Sequence, residues 1–232
     1  MPGKLFVLGN HIGNPGDVGI RFSELIKSHK NIVCEDDSLI TDKTKNIIVL
    51  SFDDNDIKIP GIMQLLYDGE DVLLVSDEGM PGIADPGSAV LKECINNNIE
   101  IHTTPGPSTI IAAAVVANVL NRFMYHGFLP HDEYWAHEFL NRVAQSYSPH
   151  IFLLQNITPG GSGFSNFAID ALDKFITHFG EERRSVLCFN LTTEDQEIFR
   201  GTLRDCMNFM NSDKRPYKNA CIVIDDIQAQ AL

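Results

Sequence analysis

The chain has 232 residues, 44% hydrophobic and 21% charged, enough to bury the core of one large or two small globular domains. Its net charge of −13 gives no basic footprint of the kind that neutralises nucleic-acid phosphates. No apolar run reaches the roughly 18 residues of a membrane span. The longest, residues 110–119, is interrupted by Asn118. The start Met1-Pro2-Gly3-Lys4 lacks a secretory cleavage pattern, so a cytosolic location without membrane contact is expected.

In chain order, short β-branched runs at residues 5–8, 32–34, 47–51, 72–76 and 99–103 read as strands. Helical patterns at residues 18–29, 61–67, 88–97 and 109–120 alternate with them, which implies a mainly parallel sheet covered on both faces. The texture changes near residues 121–123. Beyond it, residues 123–128, 150–154, 185–189 and 220–225 are strand-like and residues 135–145 and 167–179 helical. A Gly-, Ser- and Thr-rich loop is expected at residues 157–165. The cysteines at 34, 94, 188, 206 and 221 lie far apart, and no His-x-x-x-His pair occurs, so buried free thiols and no metal site are expected. Acidic clusters stand at Glu35–Asp37, at residues 53–56 and at Asp225-Asp226.

Three loops at the carboxyl ends of expected strands are rich in Gly and Pro, where open parallel sheets bind ligands. The first, Gly9-Asn10-His11-Ile12-Gly13-Asn14-Pro15-Gly16-Asp17, fits neither a dinucleotide fingerprint nor a P-loop. Alone it is a tight turn or a ligand site equally, with Asp17 placed to cap the next helix. The second runs from Ser76 to Gly87, with Asp85 as N-cap and Pro86 at the first helical position. The eight residues before Asp85 exceed what a strand-to-helix turn needs, which points to a ligand-shaping role. The third, Thr104-Pro105-Gly106-Pro107-Ser108, leads into a helix apolar on every face. That helix is expected to be buried between layers, with its unpaired N–H groups deep in a cleft and Ser108 as its cap.

Taken in order, Ile12-Gly13-Asn14, Gly16-Asp17, Glu35-Asp36, Ser76-Asp77 with Gly79, Pro81, Ile83 and Asp85-Pro86-Gly87 form one pattern. It continues through Pro105-Gly106-Pro107-Ser108, Gly127-Phe128-Leu129-Pro130, Leu191-Thr192 and Arg200-Gly201-Thr202-Leu203. From about residue 4 to residue 225 this resembles the S-adenosylmethionine-dependent tetrapyrrole methylases, and among them the ribose methyltransferases of small-subunit ribosomal RNA. The resemblance implies an α/β fold of two domains, residues 1–121 with the cofactor and substrate loops and residues 122–232 completing the cleft, usually in a homodimer. It implies cofactor contacts at Ile12, Ser76, Asp77, Met80, Ile83, Ser108 and Thr109, with Leu154, Asn190 and Ala220 on the C-terminal wall. Methyl transfer from a sulfonium needs alignment and desolvation and no metal. If a ribose hydroxyl is the acceptor, Glu35, Asp36 and His11 are candidates to orient it or take its proton, and each has a bland alternative as a loop or capping residue.

The departures from that family gather on the substrate side. Asn10-His11 stands for Thr-Pro, and Glu35-Asp36-Asp37-Ser38 for Glu-Asp-Thr-Arg. Glu78 and Met80 replace Ala and Thr. His131-Asp132-Glu133-Tyr134-Trp135 stands where a basic stretch is expected. Leu154-Gln155-Asn156-Ile157-Thr158-Pro159 and Phe189-Asn190-Leu191-Thr192-Thr193 lose further cations. The expected acceptor is ribosomal RNA, with a ribosomal partner supplying missing positive charge. The alternatives are a small-molecule or peptide acceptor, or a non-catalytic cofactor-binding protein.

Overall fold

The computed structural model describes residues 1–119, 121–154, 166–212 and 219–225. The loop expected at 157–165, and Asp226 of the last acidic cluster, lie outside them. Two compact units divide the chain, Met1–Ser108 and Thr109–Leu232.

In the first unit, strands β1 (Leu5–Leu8), β2 (Asn31–Cys34), β3 (Asn46–Val49), β4 (Val72–Val75) and β5 (Ile101–Thr104) form a parallel sheet in the order β3-β2-β4-β1-β5. β2 and β4 are buried at every residue, as the apolar runs at residues 32–34 and 72–75 require in a sheet covered on both faces. Period-two alternation sorts the side chains. Leu5, Val7, Val72 and Leu74 join the core with Ile62 and Leu66 of α2 (Asn55–Tyr67) and Val90 and Cys94 of α3 (Gly87–Asn96). Leu8, Leu73 and Val75 face the other way, against Phe22, Leu25 and Ile26 of α1 (Ile20–Ser28). The chain leaves β1 towards β2 on one side and β4 towards β5 on the other, so β1 and β4 flank the topological switch point.

Three local expectations are corrected. α2 starts at Asn55 rather than 61, because Pro60 is exposed and the Asp56 carbonyl it leaves unbonded can face water. Asp17 does not cap α1. Residues Pro15–Asp17 form a 3₁₀ turn that Asn14 captures first, its Oδ1 accepting from the Gly16 N–H at 2.9 Å, and α1 opens on Gly19 without a side-chain cap. Asp85 does hold the start of α3, though the helix proper begins at Gly87. Its two carboxylate oxygens accept from the Gly87 N–H at 2.7 Å and the Gly82 N–H at 2.8 Å.

In the second unit, β6 (Met124–Gly127), β7 (His150–Leu154), β8 (Arg184–Phe189), β9 (Glu197–Thr202) and β10 (Ala220–Ile224) form a mixed sheet in the order β6-β7-β10-β8-β9. β6 pairs in parallel with β7, and the remaining pairs are antiparallel. One face, with Phe152, Leu154, Leu187, Phe189, Ile222 and Ile224, packs on α5 (Glu133–Val143), α6 (Asn166–Phe179) and α7 (Leu203–Ser212).

α4 (Thr109–Ala117) packs on β10 and β7 and so falls with the second unit, although the texture of the sequence changes twelve or so residues later. The expectation that it is buried on every side fails: Ala113 and Ala114 are buried, while Ile111 and Val115 are 55% and 58% exposed. Only one face meets the sheet, and the small residues occupy it. β9 and α7 were not anticipated. β9 is a polar edge strand with no residue fully buried, and α7 is amphipathic, burying only Leu203, Cys206 and Met210. All five cysteines are buried and free. Among the described residues no helix is long and apolar enough to cross a membrane.

Phe152 is fully buried, with ring centroids 4.6 Å from Phe175 and 4.7 Å from His126. Phe152→Ala is expected to cost about 3–5 kcal/mol in urea unfolding. Ile57→Ala, at a site 79% exposed on α2, is expected to change stability by less than about 0.5 kcal/mol.

Candidate functional site

The loops after β1, β4 and β5 meet at the carboxyl edge of the first sheet. Asn10, 3% exposed, links two of them. Its side-chain Nδ2 donates to the carbonyls of Asp77 at 2.8 Å and Ser76 at 3.2 Å, and its Oδ1 accepts from the His11 N–H at 2.8 Å. The backbone doubles the link: Asn10 N–H donates to the Gly79 carbonyl at 2.8 Å, and Gly79 N–H to the His11 carbonyl at 3.2 Å. Gly79 sits at φ +70°, which suits a residue without Cβ. The third loop docks through glycine on glycine. A Cβ on Gly106 would lie 2.5 Å from Gly9 Cα, and one on Gly9 2.6 Å from Gly106 Cα, so neither position has room for any side chain.

Most of the residues expected at the cofactor gather here. Ile12 is buried, and its Cγ2 would stand 3.6 Å from a Cβ on Gly79. Met80 lays its sulfur over Gly9. Ser76 is buried, with its hydroxyl committed to the loop itself, donating to the Gly79 carbonyl at 3.0 Å and the Glu78 carbonyl at 3.2 Å. Asp77 is half-buried, and its Oδ1 is buried with no hydrogen-bond partner among the described residues. Ile83 lies further along the same loop, 45% exposed. Ser108 ends the third loop and Thr109 opens α4, both half-buried.

Glu35 follows β2 and joins the group, its Oε1 accepting from the Asp77 N–H at 3.2 Å. Burial, and then the charges of Asp77, Asp85 and Glu78, push its carboxyl up to about 7, against that one hydrogen bond. Asp77 is raised too, by burial first and then by Asp36 and its other acidic neighbours. Asp36 is different. It caps the turn Asp37–Leu39, its two oxygens accepting from the Ser38 N–H and Oγ at 2.8 Å each, and these bonds hold it below the usual carboxylate range. His11 accepts the Gly13 N–H on Nδ1 at 3.3 Å.

On the second unit, Leu154, Asn190 and Ala220 share one end of the sheet. Leu154 pairs with Ala220 across β7 and β10, and Ala220 with Phe189, the residue before Asn190. Asn190 takes φ +45° and donates its N–H to the Asn219 carbonyl at 3.0 Å. Two residues on, Thr192 has φ +71° and a buried Oγ1 with no partner among the described residues. Asn10 carries structural weight that sequence reasoning did not assign to it. The usable signal for Asn10 was an amide two residues past the fully apolar strand β1, where a buried polar side chain must find partners.

Solved structures share this two-sheet fold. The methyltransferase CobJ matches with TM-score 0.73 and 16% identity, over 97% of this chain and 95% of that one. Diphthine synthase matches with TM-score 0.69 and 12% identity, over 95% and 89%. These likenesses concern the fold alone. The family profile of the tetrapyrrole (corrin/porphyrin) methylases covers residues 4–206. A protein of a Hydrogenobaculum species named ribosomal RNA small subunit methyltransferase I is 30% identical over 210 residues, 87% of this chain and 86% of its own length. One of the same name from Xylella fastidiosa is 27% identical over 231 residues, 96% and 81% of the two chains. The chain belongs to the tetrapyrrole methylase family of S-adenosylmethionine-dependent methyltransferases.

Gly106→Ala tests the glycine contact. The added methyl meets backbone, not a movable side chain, so a loss of about 1–3 kcal/mol is expected in thermal or urea unfolding. Asn10→Ala is expected to cost a similar amount, about 1–3 kcal/mol, by leaving the Asp77 and Ser76 carbonyls without their donor. Stability equal to the wild type in both variants would show that the loops are held by something else.

Proposed function

We propose that this methyltransferase moves a methyl group from S-adenosylmethionine to a ribose 2′-hydroxyl of small-subunit ribosomal RNA, with Glu35 taking the hydroxyl proton. The observation that carries the reading is the Glu35 carboxyl, raised to about 7 and bonded to the loop that also bears Asp77. A general base is most useful when its pKa lies near the working pH. The names of the relatives supply the acceptor class.

The residues present fit the cofactor. Asp77 offers a buried carboxylate oxygen that lacks a donor among the described residues, which suits a ligand bearing positive charge. Ile12 and Met80 supply apolar surface beside it; Ile83 further along the same loop, Ser108 and Thr109 are the remaining candidates. Ser76 contributes by shaping the loop, since both acceptors of its hydroxyl belong to the loop itself. The family resemblance adds Leu154, Asn190 and Ala220 as further candidates for cofactor contact. When bound, S-adenosylmethionine supplies a methyl on a sulfonium, which leaves as a neutral thioether as the new C–O bond forms. Glu35 accepts the displaced proton, and Asp36, kept ionised by Ser38, holds the turn beside it.

Net charge −13 favours an assembled small subunit over naked RNA, because protein partners can provide the cations this chain lacks. The same charge supports a second reading, a small-molecule or peptide acceptor. A cytosolic homodimer belongs to the first reading.

Supplying labelled S-adenosylmethionine with small subunits, naked ribosomal RNA, protein and metabolite pools separates the readings. Label is expected on RNA within small subunits. Label on protein or metabolites alone would move the acceptor to the second reading. Filter binding of a naked decoding-region fragment across a salt series is expected to be weak, with a shallow slope reflecting few phosphate contacts. Tight binding with a steep slope would reveal a basic groove at odds with the charge.

Glu35→Gln is expected to lower turnover about 100-fold or more with cofactor affinity kept. Wild-type activity is expected to rise with pH through about 7 as Glu35 loses its proton. The stability effect has a definite sign. A carboxyl whose folded pKa is raised from 4.5 to about 7 favours folding below 4.5 and loses that contribution as pH rises through 7. Glu35→Gln is therefore expected to raise the melting temperature at pH 8 and to leave it unchanged below pH 4.5. A variant with wild-type turnover, or one less stable at pH 8, would remove Glu35 from this role.

A further inference from the structure

In the second unit, the segment after β6 and the first turns of α6 form a shallow, open hollow. It opens at the end of the sheet where β6 and β7 terminate, the end that also carries Leu154, Asn190 and Ala220. Phe128, Leu129 and Phe167 line it, with His131 at its side. Phe128 and Phe167 are 45% and 56% exposed, so both rings are accessible at the hollow. His131 meets Phe167 edge to face, with centroids 5.2 Å apart.

The hollow is not purely apolar. Lys174 contributes a side chain only 10% exposed, and its ammonium is paired with Asp170, a carboxylate 60% exposed one helical turn away. An aliphatic side chain seated here would strip water from this ion pair and return no hydrogen bond, which is costly. A phosphate would meet Asp170 within the hollow and exposed Asp132 and Glu133 beside His131. A flat heterocycle answers both features. Its faces stack on phenylalanine or histidine rings, and its edge carries the acceptors and donors that an ammonium and a carboxylate can meet.

We propose that this hollow is a base-binding subsite, in which one unstacked nucleobase of the acceptor RNA lies against Phe128 and Phe167 and turns its polar edge to Lys174 and Asp170. The inference rests on the ribosomal RNA reading above and adds how a chain of net charge −13 engages RNA: through a base, not through the phosphate backbone. Recognition of this kind needs a single-stranded or extruded nucleotide and adds little to the salt dependence of binding.

The test compares wild type, Phe167→Ala and Phe167→Tyr, since residue 167 is exposed and its truncation leaves the core intact. Phe167→Ala is expected to raise KM for small subunits, and Kd for a single-stranded ribosomal RNA fragment, about tenfold. The turnover number, the affinity for S-adenosylhomocysteine and the melting temperature are expected to stay at wild-type values. Phe167→Tyr, which keeps the ring, is expected to restore KM, and the salt slope is expected to be the same in all three proteins. If KM and Kd do not change in Phe167→Ala while the wild type methylates RNA, the subsite is wrong and the methyl-transfer reading stands. A weakened response to small subunits with unchanged binding of the RNA fragment would assign the hollow to a protein side chain and overturn the nucleobase. Absence of methyl transfer to RNA by the wild type would overturn the functional reading and the subsite together.

Discussion

A buried amide is costly unless its donors and acceptor are all met, and Asn10 meets them by bridging two loops that are 66 residues apart in sequence. The bridge holds the Ser76 and Asp77 carbonyls against the segment after β1, and the Asn10 and Gly79 backbone groups add two more bonds across the same gap. Gly9, the residue before Asn10, then has to accept Gly106 in direct backbone contact, which closes the third loop onto the first two. Position, burial and hydrogen bonding of Ile12, Met80 and Asp77 all depend on that packing. A parallel sheet with its switch point between β1 and β4 places these loops at one edge, and the amide and the two glycines fasten them together.

The same edge concentrates negative charge. Glu35, Asp77 and Asp85 are each raised by burial, but the consequences differ with their partners. Asp85 accepts two short backbone bonds and serves as scaffolding at the start of α3. Glu35 accepts one longer bond and retains capacity for a proton, while Asp77 keeps an oxygen without a donor among the described residues. Asp36, fully exposed and bonded twice to Ser38, is the carboxylate least suited to proton transfer. One step along the chain, from Glu35 to Asp36, separates a candidate base from a capping group, and the difference is set by burial.

Much of the architecture was legible in the sequence because the strong signals are one-dimensional. The apolar runs at residues 32–34 and 72–75 announce strands buried on both faces, and the Gly/Pro loops announce the strand ends they follow. Where the reading failed, tertiary context decided. Pro60 stays in a helix because it faces solvent, and Asp17 is taken into a 3₁₀ turn capped by Asn14, which leaves α1 to open on Gly19 without a side-chain cap. The apolar α4 covers the second sheet with alanines and leaves Ile111 and Val115 outside, a division that composition alone does not contain. β9 went unread because an edge strand need not be apolar, although the Leu203, Cys206 and Met210 spacing of α7 did carry helical periodicity. In the site, the motif identified the loops but not the order of importance within them: Ser76 and Asp36 turned out to be committed to local structure, and Asn10 emerged as the fastening.

Hydrogen–deuterium exchange on the whole chain, with and without S-adenosylhomocysteine, tests most directly whether the three fastened loops form the cofactor site. Amides of residues 9–13, 76–83 and 104–108 are expected to slow together on ligand addition, since a ligand held by all three must suppress their opening as a unit. Slowing in only one of these segments, or in none of them while other regions respond, would contradict the assignment of the site to this edge of the sheet.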